Sequence, residues 1–177
     1  MRHYRGTNFV DERVLAVEAN IALCLTQLGR PSAALAVEKR IFALWKTSNG
    51  AEHPRTLHAA QNLVATLMRC GKVREAQDFF RDNDFLATSK RVLGAEHPMT
   101  LRFRWCCFDV ILYDEDSSVD ELAGCVEGLD AVLKTMQRVH GKLHPETQNV
   151  QQTLGRAQQR LRADRLARAA QLHLSAK

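Results

Sequence analysis

The sequence predicts an all-α protein built as an array of antiparallel helical hairpins. The main observation is a repeated word, Gly-Ala-Glu-His-Pro-x-Thr-Leu, found at residues 50–57 and 94–101 and in a looser form at 141–147. Its histidines are 44 and 47 residues apart, a spacing typical of repeat proteins. The second observation is that apolar residues between the words follow the period of amphipathic helices. In each word, the glycine can end one helix and the proline fits the first turn of the next.

Size and composition favour one soluble globular domain, predicted to span residues 1–177. Hydrophobic residues make up 45% of the chain and charged residues 25%, which is ordinary for this class. No apolar run approaches the ~18 residues that span a bilayer, and the N-terminus lacks the apolar segment of a secretory signal. We therefore expect no membrane association. Five cysteines without metal-site spacing indicate reduced thiols and favour a cytoplasmic location: Cys24, Cys70, Cys106, Cys107 and Cys125.

The first repeat is predicted at about residues 11–52. A helix over 11–29 should bury a broad apolar face, and a tight turn should lead into a return helix over about 31–47. No Gly-x-x-His-Pro word stands upstream of residue 11, so either one copy has degenerated or the array is longer. The apolar residues of the first helix that we expect in the core are Val14, Leu15, Val17, Ile21, Leu25 and Leu28.

The second repeat, at about residues 53–96, is the most regular copy. Its first helix is predicted to run from Thr56 to Cys70, and its return helix to begin at Val73. Compared with the first repeat, two extra residues fall near the polar cluster at 81–84. This insertion predicts a kink or bulge in the return helix.

The third repeat, at about residues 97–143, departs from the other two. An acidic loop at 114–118 replaces the glycine turn between its helices. The return helix is predicted at 119–139, where Gly124 and Gly128 each lower helical propensity by ~1 kcal/mol relative to alanine.

The last predicted element is a single capping helix at 144–174. Its Gln and Arg residues supply the polar face that a terminal unit of a solenoid needs. From Arg156 to Lys177 the chain has six basic residues and one acidic residue, so this segment carries +5, equal to the net charge of the whole chain. A solvated helix face is the first interpretation of this charge, and contact with an acidic protein surface is the second. Nucleic-acid binding comes third, because no aromatic residue is interleaved with the arginines.

Two stretches carry a family resemblance. Residues 62–76 read Asn-Leu-x-x-x-Leu-x-x-x-Gly-Lys-x-x-Glu-Ala, and residues 91–101 read Arg-Val-Leu-Gly-Ala-Glu-His-Pro-x-Thr-Leu. Over about residues 11–160 the chain resembles the tetratricopeptide repeats of kinesin light chains, whose period of about 42 residues exceeds the ordinary period of 34. The resemblance implies a right-handed superhelical solenoid and a role in protein–protein interaction. It supports the repeat type rather than a motor-adaptor role, because no heptad coiled coil precedes the repeats in this sequence.

The resemblance also implies a concave groove, lined by the first helix of each hairpin, that binds an extended peptide of a partner protein. An amide both donates and accepts hydrogen bonds, so Asn20 and Asn62 could hold a peptide backbone whatever its side chains. The alternative is that both asparagines bond across the repeat interface. Arginines of the row would pair with acidic ligand residues, and aromatic side chains would hold an apolar anchor. The predicted groove residues are Asn20, Gln27, His58, Gln61, Asn62, Arg69, Arg102, Trp105, Asp109 and Tyr113, and the row is extended by Ala19, Leu23, Ala65, Cys106, Gln152 and Arg156.

The sequence contains no catalytic or cofactor-binding motif such as a nucleophile elbow, a phosphate-binding glycine loop or His-Glu-x-x-His. Stacked repeats hold equivalent positions about one repeat apart, so His53, His97 and His144 are predicted to cap or pack helices rather than to bind a metal. We therefore expect a non-catalytic, cofactor-free module that binds a peptide segment of a partner protein. The alternative is a structural or self-assembly unit of a longer repeat protein, with the basic last helix as its docking surface.

Overall fold

The computed structural model describes residues 11–175, apart from the side chains of residues 172, 174 and 175. Within this range the chain forms eight helices and no strand. Helices α1, α3 and α6 are the first helices of the three repeats, and α8 is the capping helix. We refer to all four as first helices. The others, α2, α4, α5 and α7, form the return helices. The helices are α1 (Glu12–Gln27), α2 (Pro31–Asn49), α3 (Pro54–Arg69), α4 (Val73–Asn83), α5 (Phe85–Leu93), α6 (Pro98–Tyr113), α7 (Val119–Val139) and α8 (Pro145–Ser175).

Each His-Pro word ends one helix and starts the next, as the sequence predicts. Its glycine has a positive φ, between 87° and 99° in the three copies, a conformation that other residues rarely adopt. Its histidine is the N-cap, because the ring Nδ1 accepts a hydrogen bond from the backbone N–H two residues later at 3.2 Å in all three copies. The predicted capping role of the histidines is confirmed.

The chain divides into two compact units, and the boundary falls between Lys72 and Val73. This is the turn between the two helices of the second repeat. We call the described residues up to Lys72 the first unit and those from Val73 onwards the second unit. The predicted single domain over residues 1–177 stays a prediction.

In the first unit, α2 packs against both α1 and α3. Ala34 of α2 is fully buried, as expected for a small residue where two helices approach closely. The guanidinium of Arg55 lies 5.1 Å from the centre of the Trp45 ring and also pairs with Glu12. The other buried apolar residues of this unit are Leu15, Ala22, Leu35, Ile41, Phe42, Trp45, Leu57, Ala59, Ala60, Leu63, Val64 and Leu67.

In the second unit, α7 packs against both α6 and α8. The return helix of the second repeat breaks at Asp84, whose φ of 35° and ψ of 47° are left-handed, and this confirms the predicted kink. The two halves, α4 and α5, pack on α6 through aromatic rings. The rings of Phe85 and Phe103 are stacked, and their centres are 5.6 Å apart. The main core cluster comprises Leu101, Leu112, Leu122, Cys125, Leu129, Val132, Leu133, Met136, Val150, Leu154, Ala157 and Leu161.

The apolar face of α1 is not buried as the sequence predicts. Leu15 is in the core, and Leu25 is partly buried. The other four residues that we predicted to be buried are exposed. Periodicity shows that a helix has an apolar face, but not which element covers it. The expectation was therefore wrong for Val14, Val17, Ile21 and Leu28, which are 48–74% exposed.

Candidate peptide-binding surface

In the second unit, polar contacts join α6 to α8 along the row of predicted groove residues. Arg102 forms an ion pair with Glu146, whose side chain is mostly buried. Trp105 donates from its indole Nε1 to the Thr153 hydroxyl at 3.1 Å. Each contact links a residue of the predicted row to the capping helix. This part of the row therefore stabilises the packing of α8 on α6.

Asp109 lies in the same network. Burial raises the pKa of its carboxyl to about 6, although hydrogen bonds with Trp105 and Thr153 and the charge of Arg156 act in the opposite direction. A carboxyl with this pKa changes charge just below neutral pH. We therefore expect the hydrogen bonds of the Asp109 carboxyl to change with pH near this value.

Two arginines of α8 form hydrogen bonds with the C-terminal end of α6, where the row ends. Arg156 donates to the Tyr113 hydroxyl at 3.0 Å. Arg160 donates to the backbone carbonyls of Leu112 and Glu115, which lie at the C-terminal end of α6 and in the loop after it. Tyr113 is still 48% exposed, so a ligand can reach one face of its ring.

In the first unit, the equivalent row on α1 and α3 carries fewer contacts. Asn20, Gln27, His58 and Arg69 are exposed, and Asn62 is partly buried. No hydrogen bond joins the side chain of Asn20 or Asn62 to another described residue, and no ion pair joins Arg69 to one. The structure therefore does not show the alternative in which the two asparagines bond across the repeat interface.

Gln61 differs from the other predicted residues of the first unit. Its side chain is only 7% exposed, and its Oε1 has no hydrogen-bond partner among the described residues. A buried amide oxygen without a partner is unfavourable by about 1–3 kcal/mol. Gln61 thus contributes little accessible surface to the row.

The different contacts of the two units follow from their sequences. Shifts of 42, 44 and 47 residues place the four first helices in register. At the positions of Trp105 and Asp109 in α6, α1 has Ala19 and Leu23. Asn62 corresponds to Thr153, but neither Ala19 nor Leu23 has a side-chain group that could bond to its amide.

In the second unit, the structure joins predicted residues of α6 to α8. Sequence analysis did not single out three α8 residues in this interface. Glu146 and Thr153 bind Arg102 and Trp105, and Arg160 binds the backbone at the C-terminal end of α6. The only available signal was their spacing of seven residues, which places all three on one face of α8. That spacing alone does not reveal which helix the face contacts.

The described residues offer no centre for metal chemistry and no membrane span. Between residues 11 and 175, no three His, Cys, Asp or Glu side chains are arranged to hold a metal ion. In the same part of the chain, no helix is long and apolar enough to cross a bilayer. Burial raises the pKa of Cys106 to about 12 and that of Cys107 to about 11, which disfavours the thiolate form that binds metals.

Comparison with known families settles the repeat type. The tetratricopeptide repeat model matches residues 19–55 and 56–98. Residues 19–98 are therefore tetratricopeptide repeats. A comparison with curated proteins found no match.

Two solved structures have the same fold as this chain. Both are of a Podosopora anserina protein, assigned as a kinesin light chain with nearly identical TPR-like repeats, and one of the two is of a single-residue variant. Each matches with a TM-score of 0.69 and 23% identity, covering 85% of this chain and 67% of the other. The predicted all-α class of hairpin repeats is confirmed.

Proposed function

We propose that this protein is a non-catalytic module that binds an extended peptide segment of a partner protein through the first helices of the first unit. One observation carries the proposal. The predicted row is bonded to α8 in the second unit, whereas Asn20, Asn62 and Arg69 make no such bonds in the first unit. Tetratricopeptide repeats are generally non-catalytic interaction modules, which fits this role.

The chemistry of the row suits an extended peptide. The Asn62 amide can donate to a backbone carbonyl and accept from a backbone N–H of the ligand. Leu23 is 51% exposed and can contact an apolar ligand side chain. Arg69 provides a positive charge for an acidic ligand residue. The expected ligand is an extended segment with one apolar and one acidic side chain.

The predicted groove residues that lie in the second unit have a different role in this proposal. Arg102, Trp105 and Asp109 hold α8, and a ligand would have to break those bonds to use them. Tyr113 and Arg156 are exposed, and they bond to each other on the surface of the second unit. We assign the first three to positioning α8.

The test begins with a displayed library of random extended peptides panned against the full chain. Affinity for the best peptide is then measured for the wild type and for Asn62→Ala and Arg69→Ala. Each substitution should weaken binding about tenfold, equivalent to ~1.4 kcal/mol. Asn149→Ala is the matched control, because Asn149 is an exposed amide on α8 and its loss should leave the Kd unchanged.

An unchanged Kd for both Asn62→Ala and Arg69→Ala would contradict the proposal. Circular dichroism of every variant should match the wild type, so that a loss of affinity is not a loss of helix. If Trp105→Ala alone removed binding, the site would lie on the second unit instead.

A self-assembly scaffold is the second candidate function. It is favoured by the C-terminal half of α8, where the described side chains after Leu161 are mostly exposed and include Arg162, Arg165 and Arg168. Such a surface could dock on an acidic face of another chain. Light scattering over a concentration series at low and high salt separates the two candidates, because only the scaffold should show a mass that rises with concentration and falls with salt.

Two further parts of the proposal follow the sequence analysis. We place the protein in the cytoplasm, where its five cysteines, all free in the structure, would stay reduced. Nucleic acid is not the proposed ligand, because the basic residues lie on one helix without aromatic neighbours.

A further inference from the structure

The face of α1 that sequence analysis expected in the core forms a continuous apolar stripe on the surface. Val14, Val17 and Ile21 are about half exposed and Leu28 is 74% exposed. Cys24 is also exposed and lies between them, because positions 14, 17, 21, 24 and 28 follow the helical spacing of three and four residues. We call these five residues the α1 stripe.

The same positions are buried in the other first helices. In α3 the equivalents of the α1 stripe are Thr56, Ala59, Leu63, Thr66 and Cys70, and the first four are at most 3% exposed. The equivalents in α6 begin with Thr100 and Phe103, and those in α8 with Thr147 and Val150, all of them fully buried. Among the first helices of the described residues, α1 alone exposes this face.

In each other repeat, a return helix covers this face. Helix α2 packs on α3, helices α4 and α5 pack on α6, and α7 packs on α8. The covering helix presents large apolar residues at helical spacing, as α7 does with Leu129, Val132, Leu133 and Met136. The same kind of interface, a return helix packed on a first helix, therefore occurs three times in the described part of the chain. On α1 the described residues supply no such helix.

We propose that the α1 stripe is a docking surface for an amphipathic helix of another protein chain, with the apolar spacing of this chain's own return helices. A second copy of this chain has no free return helix, because α2, α4–α5 and α7 each already pack on a first helix of their own unit. The exposed area of the stripe is roughly 400 Å², compared with the ~300–600 Å² of the largest apolar patch on a typical monomer. The stripe is within the size range of functional apolar patches.

The test uses a synthetic peptide with the sequence of residues 119–139, which forms α7, as a surrogate return helix. Cys125 is replaced by serine to prevent disulfides. A hydrocarbon staple replaces Lys134 and Arg138, which are exposed in α7, so that the peptide is helical in isolation. Fluorescence anisotropy of the labelled peptide, titrated with the full chain, gives the affinity.

We expect saturable binding that weakens at least tenfold in Ile21→Asp. The matched control is Ala16→Asp, an exposed residue of the same helix that lies outside the stripe, and it should bind as the wild type does. Saturating peptide should also slow alkylation of Cys24 by iodoacetamide at least fivefold, measured by mass spectrometry. Burial raises the pKa of Cys106, Cys107 and Cys125 to about 11 or above, which disfavours their alkylation. Mass spectrometry of the digested protein distinguishes Cys24 from Cys70, which is also partly exposed.

Several results would overturn the proposal. One is no binding by the stapled peptide, and another is equal binding by the wild type and Ile21→Asp. Slow alkylation of Cys24 that speeds up when residues 1–10 are deleted would show that the chain covers its own stripe. Dimerisation of the wild type that Ile21→Asp abolishes would show that a second copy does. Asn62→Ala should leave binding unchanged, so this proposal and the proposed function can fail separately.

Discussion

Glu38 lies in the core of the first unit, although a glutamate side chain in water is ionised at neutral pH. It is only 4% exposed, and its Oε2 has no hydrogen-bond partner among the described residues. The register that aligns Ala34 with Ala76 also aligns Glu38 with Phe80 of α4, so the second repeat has an apolar residue at this position. Burial raises the pKa of the Glu38 carboxyl to about 7, because a charged carboxylate loses its hydration in the core.

This shift makes the stability of the protein depend on pH. Between pH 4.5 and about 7 the folded protein holds a proton on Glu38 that the unfolded chain releases. The contribution of Glu38 to the free energy of unfolding should therefore be largest below pH 4.5 and decrease as the pH rises to about 7, by up to about 3 kcal/mol. Urea unfolding of the wild type and Glu38→Gln from pH 4.5 to 8 measures the difference.

The glutamine variant should lack this part of the pH dependence and should exceed the wild type in stability at pH 8. Glu127→Gln, at an exposed position of α7, is the control and should follow the wild-type curve. Parallel curves for the wild type and Glu38→Gln would show that the carboxyl is hydrated in solution.

At the scale of single helices, α7 offers a matched pair of glycines. A Cβ on Gly124 would meet nothing within 4 Å, whereas a Cβ on Gly128 would overlap the Phe108 ring. Gly124→Ala should therefore stabilise the protein by about 1 kcal/mol through helix propensity. Gly128→Ala should destabilise it by about 1–3 kcal/mol, because Phe108 packs on the core and must move.

Chemical unfolding of the two alanine variants at one pH checks this prediction. Equal stabilisation by both would mean that Phe108 can leave its place at no cost. The sequence alone predicts the same effect for both glycines, since propensity is a property of the residue and overlap is a property of the fold.

The ends of the helices could be predicted from the sequence because local interactions determine them. The glycine, histidine and proline of each word act within a few residues, and the break at Asp84 follows from a local insertion. The contacts of the candidate site could not be predicted. The bond from Trp105 to Thr153 joins residues 48 positions apart. Its formation depends on how two distant helices pack, which periodicity does not encode.

The exposed face of α1 shows the same limit. Val17 and Ile21 have the spacing of core residues, and in α3 the equivalent Ala59 and Leu63 are indeed core residues. The sequence of α1 therefore predicts an apolar face correctly. Whether that face is buried depends on a covering helix, which is not a property of α1.

At the scale of the whole molecule, the boundary at Lys72 divides the second repeat between two compact units. Neighbouring repeats stabilise one another in this class of protein, so we expect one cooperative unfolding transition. The two tryptophans report on it separately, because Trp45 lies in the first unit and Trp105 in the second. Urea unfolding followed by fluorescence in Trp45→Phe and in Trp105→Phe should therefore give the same midpoint as circular dichroism of the same variant.

If the fluorescence midpoint differs from the circular dichroism midpoint within one variant, the units unfold independently. Two steps in the circular dichroism curve of the wild type would lead to the same conclusion. The predicted single domain would then be wrong, and each unit would have its own stability.

The central claim is that a peptide binds to the first helices of the first unit. The most direct measurement is a titration of the ¹⁵N-labelled full chain with the selected peptide, following side-chain amide signals by NMR. The signals of Asn62 and Gln27, assigned by substitution to aspartate and glutamate, should shift until saturation, while that of Asn149 on α8 should not. Shifts confined to the amides of α8, or no shift of Asn62 at saturation, would contradict the claim.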